Sequence, residues 1–342
     1  MRLRVWLSLG SWLAIESFSP PATPCGAFVA PAMKTVPSLA VEQTLIVFDA
    51  TRELEHFVRQ IAIRDPSPGF GFVVPVPEKP IVAKVKVDPF AKLAKEFPLG
   101  SRFSVSSGGG AVGGGKAAAG AVTVFSREKV GSFTAFVLAA SEATALEKWF
   151  SDNHLRVPSE AEAWLLHYVK LGFYFVAMRY ETQERDVKSA ITRAETIRIS
   201  FQTPLPFYPY REPMHTTPSQ ASRDLVVWLF STRAYTPVSL FEPASATQTA
   251  AAWQRPMVEL RSETVVRQSL ASVFSEELLQ LLPHAEGRGD DSLAVQVFED
   301  QKHSREGFGD IVMVPKQVTA LSAPSLVRSR KLMASLDPAV AP

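Results

Sequence analysis

The sequence predicts an α+β fold of mixed, strand-rich sheets with several packed helices, preceded by a signal peptide. Short apolar runs rich in β-branched and aromatic residues recur along the chain, and such runs are typical of strands. Helical patterns lie between them without a regular alternation of strand and helix, which favours α+β over a doubly wound sheet. With 342 residues, 46% of them hydrophobic, the chain is long enough to bury a large core.

Composition narrows the classes of partner. The chain has 36 Lys and Arg against 34 Asp and Glu, which gives a net charge of +2. Proteins that bind nucleic acid concentrate basic residues on one face, and no such cluster occurs here, so we expect no nucleic-acid partner. After the N-terminus, no apolar run approaches the roughly 18 residues that span a bilayer. We therefore predict no transmembrane span in the mature chain.

The N-terminal residues predict export. Arg2 and Arg4 precede an apolar stretch over residues 5–15, and three prolines follow by residue 24. A positive start and a short apolar stretch form the pattern of a secretory signal peptide. We expect a signal over residues 1–24, with cleavage as late as residue 32, and a periplasmic or secreted protein. The competing interpretation is an amphipathic or buried first helix.

Behind the signal, we expect a single α+β body over residues 25–320 and a polar C-terminal tail over residues 321–342. Residues 101–120 are mostly Gly, Ala and Ser. Because such a segment buries too little side chain to offset its ordering entropy, it predicts a flexible loop. Cys25 is the one cysteine, so no intramolecular disulfide can form. Lipid anchoring through Cys25 is a less favoured alternative, because the residues before it lack the usual Leu-small-small approach.

Strand patterns dominate the first part of the body. Apolar runs over residues 43–50, 57–64 and 70–76 predict three strands joined as a meander or a series of hairpins. Asp88, which precedes a proline, predicts the N-cap of a short helix over residues 88–95.

Two helices and further strands follow the Gly-rich segment. Ser141 and Ser159 predict the starts of the two helices, which end at Asn153 and Gly172. A third, long amphipathic helix is predicted over residues 263–282. Further strands are predicted over residues 121–125, 133–138, 173–178, 196–201, 225–230, 293–298 and 311–314.

One nine-residue segment recurs. Residues 69–77 read GFGFVVPVP and residues 307–315 read GFGDIVMVP, so six of nine positions match. The match agrees with two similar half-folds. Coincidence between two apolar strands is the favoured interpretation.

Familiar catalytic and cofactor patterns are absent from the sequence. Residues 110–116 fit the spacing of a phosphate-binding loop, but Ala117 stands where such a loop needs Ser or Thr. No pair among the six histidines has metal-ligand spacing, and no G-x-S-x-G motif occurs. Cys25 is poorly placed as a nucleophile, because chain termini are poorly ordered. We therefore expect no cofactor and no metal, and a non-enzymatic protein is favoured over an enzyme.

The strongest candidate for an interaction surface is the aromatic segment of Phe207, Tyr208, Tyr210 and Arg211. Aromatic residues and arginine are enriched at the centres of interfaces. The competing interpretation is a strand followed by a loop that Pro209 holds against the core, and we favour it because aromatic rings are usually buried.

Four segments together resemble a known family. They are residues 25–28 (CGAF), residues 72–77 (FVVPVP), the block from Trp149 to a strand over residues 173–178 (FYFVAM), and residues 204–211. This set is similar to the bacterial family catalogued as domain of unknown function 2330, from about Cys25 to Phe230. The departures are Ala27, Val29 and residues 104–120, which look like an insertion. The resemblance implies an exported bacterial protein and brings no established activity or catalytic residues.

Two functions remain open at this level. The first is a non-enzymatic envelope protein that binds an envelope protein or a small molecule, or that serves as an assembly module. The second is an extracytoplasmic hydrolase whose polar groups converge only in the folded chain, since a fold can hide such a site from the sequence. A deep pocket with clustered His, Asp, Glu or Ser would favour the hydrolase, and a flat or aromatic face would favour the binding protein.

Overall fold

A computed structural model describes most of the body of the chain. The described residues are 27–29, 38–64, 69–99, 122–130, 133–157, 159–180, 191–213, 224–241, 252–284, 291–300, 305, 307–316 and 332. The expected signal peptide, the Gly-rich loop over residues 101–120 and, apart from Leu332, the C-terminal tail lie outside them. The predicted α+β class, with strand-rich mixed sheets, is confirmed.

Within the described residues, the first sheet has five antiparallel strands in the order β1-β4-β8-β7-β6. They are β1 (Ala27–Val29), β4 (Gly71–Val76), β6 (Thr123–Val130), β7 (Phe133–Ala139) and β8 (Tyr174–Tyr180).

The second sheet has eight strands in the order β15-β16-β12-β2-β3-β10-β5, and β9 also pairs with β3. Among the described strands of this sheet, β12 and β2 form the one parallel pair, and they lie at its centre. The strands are β2 (Ser38–Asp49), β3 (Leu54–Arg64), β5 (Ile81–Lys84), β9 (Ile191–Arg193), β10 (Ile197–Gln202), β12 (Asp224–Ser231), β15 (Met257–Val266) and β16 (Ser292–Asp300).

A third sheet of four strands and a set of short helices complete the described part. The sheet has the order β11-β17-β13-β14, with β11 (Phe207–Tyr208), β13 (Tyr235–Phe241), β14 (Ala252–Gln254) and β17 (Ile311–Pro315). The helices are α1 (Phe90–Glu96), α2 (Ala143–Asp152), α3 (Ser159–Lys170), α4 (Glu276–Leu279) and a 3-10 helix over Arg267–Ser272. None of the described helices is long and apolar enough to cross a membrane.

The centre of the eight-stranded sheet is buried on both faces. Along β12, Val227 and Leu229 join one hydrophobic cluster, whereas Trp228 and Phe230 join another. A strand that is covered on both sides reads as a continuous apolar run. This double burial explains why β12 is recognisable in the sequence without polar alternation.

Helices α2 and α3 pack on the first cluster beside the five-stranded sheet. The Trp149 ring meets Phe136 of β7 edge to face, with 5.1 Å between ring centroids. Helix α3 covers Ser159–Lys170, and the predicted Gly172 closes it two residues after its last helical residue. Gly172 has a φ of 65°, its N–H donates to the Val169 carbonyl at 2.9 Å, and the next N–H donates to the Tyr168 carbonyl at 3.0 Å. This pair of hydrogen bonds is a Schellman motif.

The long helix predicted over residues 263–282 is wrong. Residues up to Val266 form the end of strand β15, and only the 3-10 helix and α4 follow. Leu270, Phe274 and Leu278 are all buried at four-residue spacing, which is the spacing that predicted a helix. Ladder hydrogen bonds between β15 and β16 override that local pattern at its start.

The meander predicted for the first three strands is half wrong. Strands β2 and β3 form the expected antiparallel pair, but β4 lies in the other sheet, between β1 and β8. The free side of β3 is occupied by β10 and β9, which come from distant parts of the chain.

The two copies of the recurring nine-residue segment begin in a similar way. Gly69 and Gly307 have φ values of 76° and 80°, and each is followed by a buried phenylalanine and then a strand, β4 or β17. The two strands belong to different sheets. The copies therefore share a glycine turn and a strand, and they are not equivalent in the sheet arrangement.

Candidate functional site

The structure buries most of the aromatic segment that the sequence offered as an interaction surface. Phe207, Tyr208 and Tyr210 have exposed fractions of 0%, and Arg211 is half-buried. The Phe207 ring packs against Phe173, with 5.8 Å between centroids. The segment lies in the core, as the competing interpretation stated, so its rings are not accessible to a partner in this conformation.

Tyr210 instead belongs to a buried network of charges. Its hydroxyl donates to both carboxylate oxygens of Asp300 at 3.1 Å. The Arg305 guanidinium binds the same carboxylate at 2.7 Å and lies over the Tyr210 ring, 4.2 Å from its centroid. Because Arg305 is only 2% exposed, its charge needs this carboxylate close by.

A second buried acid, Asp310, ties α3 to the same segment. Its carboxylate accepts hydrogen bonds from the Tyr168 hydroxyl at 2.9 Å and from the Arg211 N–H at 3.0 Å. Burial raises the pKa of Asp310 to about 6, although the Arg211 guanidinium and these hydrogen bonds act in the opposite direction. Trp164 adds a bond from its indole N–H to the Arg211 carbonyl at 2.9 Å. Helix α3 is thus fixed to the core at two points.

The structure also brings together a histidine and a serine. His56 and Ser200 are direct neighbours on β3 and β10, and Nδ1 of His56 lies 2.8 Å from Oγ of Ser200. Burial, together with the Arg198 charge, lowers the pKa of His56 to about 4, so the imidazole is neutral at pH 7. Within the described residues, no carboxylate binds the other ring nitrogen, although a catalytic triad needs one there.

Another buried ion pair lies between the sheets. Nε of Arg59 is 2.7 Å from Glu42, both side chains are at most 2% exposed, and the guanidinium lies over Phe72. The neighbouring space, which Phe133 and Met178 also line, has a volume of about 10 Å³. That volume holds about one water molecule, so this region is too small for an organic ligand.

An open groove lies between α2 and α3. Its volume is about 540 Å³. Ala163, Leu166 and Val169 of α3 supply apolar surface, and Leu166 is 38% exposed. The remaining residues that line it are Ser141, Glu142, Thr144, Glu147, Glu162 and Lys170.

Negative charge dominates the rim of this groove. Glu142 and Glu147 come from the α2 side and Glu162 from α3, while Lys170 is the one cation in the lining. Three carboxylates and one ammonium leave a formal charge of −2. We therefore take the α2–α3 groove as the candidate functional site. No group of three or more His, Cys, Asp or Glu in the described part could hold a metal ion.

The sequence does not predict the groove, although it contains one signal for it. Leu166 follows Glu162 by one helical turn and stands on the polar side of α3, opposite the buried Leu165 and Tyr168. An aliphatic residue on a polar helix face marks surface that a partner can cover. Single exposed leucines are common, however, so the signal gains weight only beside α2.

Comparison with known proteins identifies a family and no function. The family model of an uncharacterized protein conserved in bacteria (DUF2330) matches residues 19–254. No curated protein matches the chain. The crystal structure of baculovirus P35 is similar at a TM-score of 0.39 and 8% identity, over 82% of this chain and 98% of P35. At that TM-score, the likeness supports no inference about this chain.

Proposed function

We propose a function for this chain from the premise that it belongs to DUF2330, a family of uncharacterized proteins conserved in bacteria. The function is that of an exported, non-enzymatic binding protein of the bacterial envelope, which holds a partner in the α2–α3 groove. The N-terminal pattern of Arg2, Arg4 and an apolar stretch supports export. The groove, which exposed Leu166 and the carboxylates of Glu142, Glu147 and Glu162 line together, is the observation that carries the binding role.

The anchoring of both helices in the core supports this role. Leu146, Trp149 and Phe150 anchor α2 in the first hydrophobic cluster, and Trp164 and Tyr168 anchor α3 there and in the buried polar network. A surface that is already held in shape loses little entropy when a partner binds. Neither helix needs to rearrange to present its outer face.

Site-specific crosslinking in the producing bacterium tests the binding role. A photoreactive residue at position 166 should give a discrete adduct in the envelope fraction. The matched control is position 266, where Val266 is 55% exposed on β15 of the other sheet. The absence of an adduct at position 166, or the same pattern of adducts from both positions, would contradict the proposal.

Fractionation tests export separately. The protein recovered outside the cytoplasm should lack its first 24 to 32 residues, because signal peptidase removes the leader. N-terminal sequencing gives the boundary directly. Full-length protein in the cytoplasmic fraction would contradict export and leave the groove's binding role to be tested by itself.

The His56–Ser200 pair favours a second candidate, an extracytoplasmic hydrolase. The 2.8 Å contact is within the distance at which an imidazole can take a proton from a serine hydroxyl. An active pair should react with a fluorophosphonate probe, and Ser200→Ala should abolish labelling. If wild type and Ser200→Ala remain equally unlabelled, the hydrolase is excluded for this pair.

A further inference from the structure

We infer that the α2–α3 groove receives a cationic, amphipathic helical segment of a partner protein. This inference rests on the proposed function and specifies the chemistry of the partner. Its basis is that apolar residues and three glutamates line the same groove, that no described cation pairs with Glu147 or Glu162, and that both helices are anchored in the core.

The apolar part of the groove lining favours an apolar side chain on the partner. Ala163, Leu166 and Val169 follow one another at three-residue steps, so they form a stripe along α3. Leu166, at 38% exposed, is the large side chain in that stripe that still contacts solvent. Covering such a stripe with an aliphatic residue removes apolar surface from water, which favours binding.

The glutamates of the groove lining favour positive charge on the partner. Among the residues that the structure describes, no cation lies within ion-pair distance of the carboxylates of Glu147 and Glu162. On the neighbouring face of α2, by contrast, Lys148 binds Asp152 at 3.0 Å. Carboxylates that lie beside apolar surface and have no described cation nearby favour a partner with lysine or arginine next to its apolar anchor residue.

The length of the groove fits a short helix. Glu162 and Lys170 are eight residues apart on α3, which corresponds to about 12 Å along a helix axis. That distance equals roughly two helical turns of a partner. An amphipathic helix in a groove, anchored by residues spaced three or four apart, is a common mode of peptide recognition.

The negative charge of the groove disfavours anionic occupants. Anionic lipid surfaces and nucleic acids present phosphates, which the carboxylates of Glu142, Glu147 and Glu162 would repel. If α2 and α3 bound a membrane surface, they would also need basic residues on this face of the protein.

Titration with defined peptides tests the inference. The probe is an alanine-based helical peptide of about 14 residues with a leucine stripe flanked by lysines, and its counterpart carries glutamate in place of every lysine. The protein should bind the lysine peptide and not the glutamate peptide. Glu147→Gln with Glu162→Gln should weaken binding about tenfold at low salt, and less as salt screens the charges.

Two further variants separate charge effects. Leu166→Ala should weaken binding about three- to tenfold at both low and high salt, because apolar contact is not screened. Glu96→Gln with Glu276→Gln is the matched control: both carboxylates are exposed, on α1 and α4, which pack on the other hydrophobic cluster. This control should bind like wild type.

Equal binding of the two peptides would overturn the inference, and so would equal weakening by the groove variant and the control. The two experiments distinguish failure of this inference from failure of the proposed function. If crosslinking at position 166 captures a partner through an acidic or uncharged segment, the binding role stands and the cationic inference fails. If position 166 captures nothing while the lysine peptide still binds selectively, the proposed role fails instead.

Discussion

Asp310 is a fully buried acid whose pKa, at about 6, lies above the ordinary value of 3.8. The folded chain therefore holds a proton on Asp310 that the unfolded chain has released between these two values. Its stabilising contribution is complete below about pH 4 and is lost as the pH rises through about 6, with a total of about 3 kcal/mol. In the variant Asp310→Asn, this decrease in the free energy of unfolding with rising pH should be absent.

Chemical denaturation of wild type and Asp310→Asn across pH 4 to 7 measures the effect. The difference between their free energies of unfolding should shift in favour of the variant as the pH rises. Asp224→Asn is the matched control, because Asp224 is exposed at the start of β12. A pH-independent difference between wild type and Asp310→Asn would contradict the assignment.

His56 should have the opposite pH dependence. Its pKa is lowered to about 4 in the folded chain by burial and by Arg198. The unfolded chain therefore binds a proton that the folded chain does not, between about pH 6.5 and 4. The stability that His56 contributes is complete above about pH 6.5 and is lost as the pH falls through 4, with a total of about 2 kcal/mol for this partly exposed ring.

His56→Gln should remove that acid sensitivity while keeping a side chain that can bond to Ser200. In wild type the slopes of His56 and Asp310 oppose each other between pH 4 and 6, so the two variants should diverge in opposite directions from it. Parallel curves for wild type and His56→Gln would show that the imidazole titrates as it does in water.

At the scale of single elements, the end of α3 offers a clean test. Gly172 has a φ of 65°, and a Cβ added there would meet no atom within 4 Å. The cost of Gly172→Ala is therefore backbone strain alone, about 1 to 2 kcal/mol. Gly172→Asn should cost less, because asparagine tolerates this conformation better. Urea denaturation measures both, and equal stability of wild type and Gly172→Ala would contradict the Schellman ending.

Elements with a complete local signal could be predicted from the sequence. Helix α3 is followed by a glycine and has buried residues at helical spacing. Strand β12 is an apolar run that a hydrophobic cluster covers on each face. The helix prediction over residues 263–282 failed because Leu270, Phe274 and Leu278 are spaced as in a helix, while the first residues of the segment pair with β16. A local pattern does not reveal a strand partner that lies about 30 residues away.

At the scale of the whole molecule, the candidate site was out of reach of the sequence. Glu147 and Glu162 are unremarkable surface residues on two separate helices until packing places both on one groove. The buried acids were hidden for a similar reason, since Tyr168 and Asp310 are 142 positions apart. The aromatic segment at residues 207–211 was conspicuous because it builds the core, and its composition does not distinguish a core from an interface.

The central claim is that the outer face of α2 and α3 binds a positively charged partner segment. Methyl NMR of the folded protein tests it most directly, with the lysine peptide as the added ligand. The methyl signals of Leu166 and Val169 should shift with saturation, while those of Val258 and Val266 on β15 stay in place. Uniform small shifts across the molecule, or saturable shifts on β15 with none at Leu166, would contradict the account.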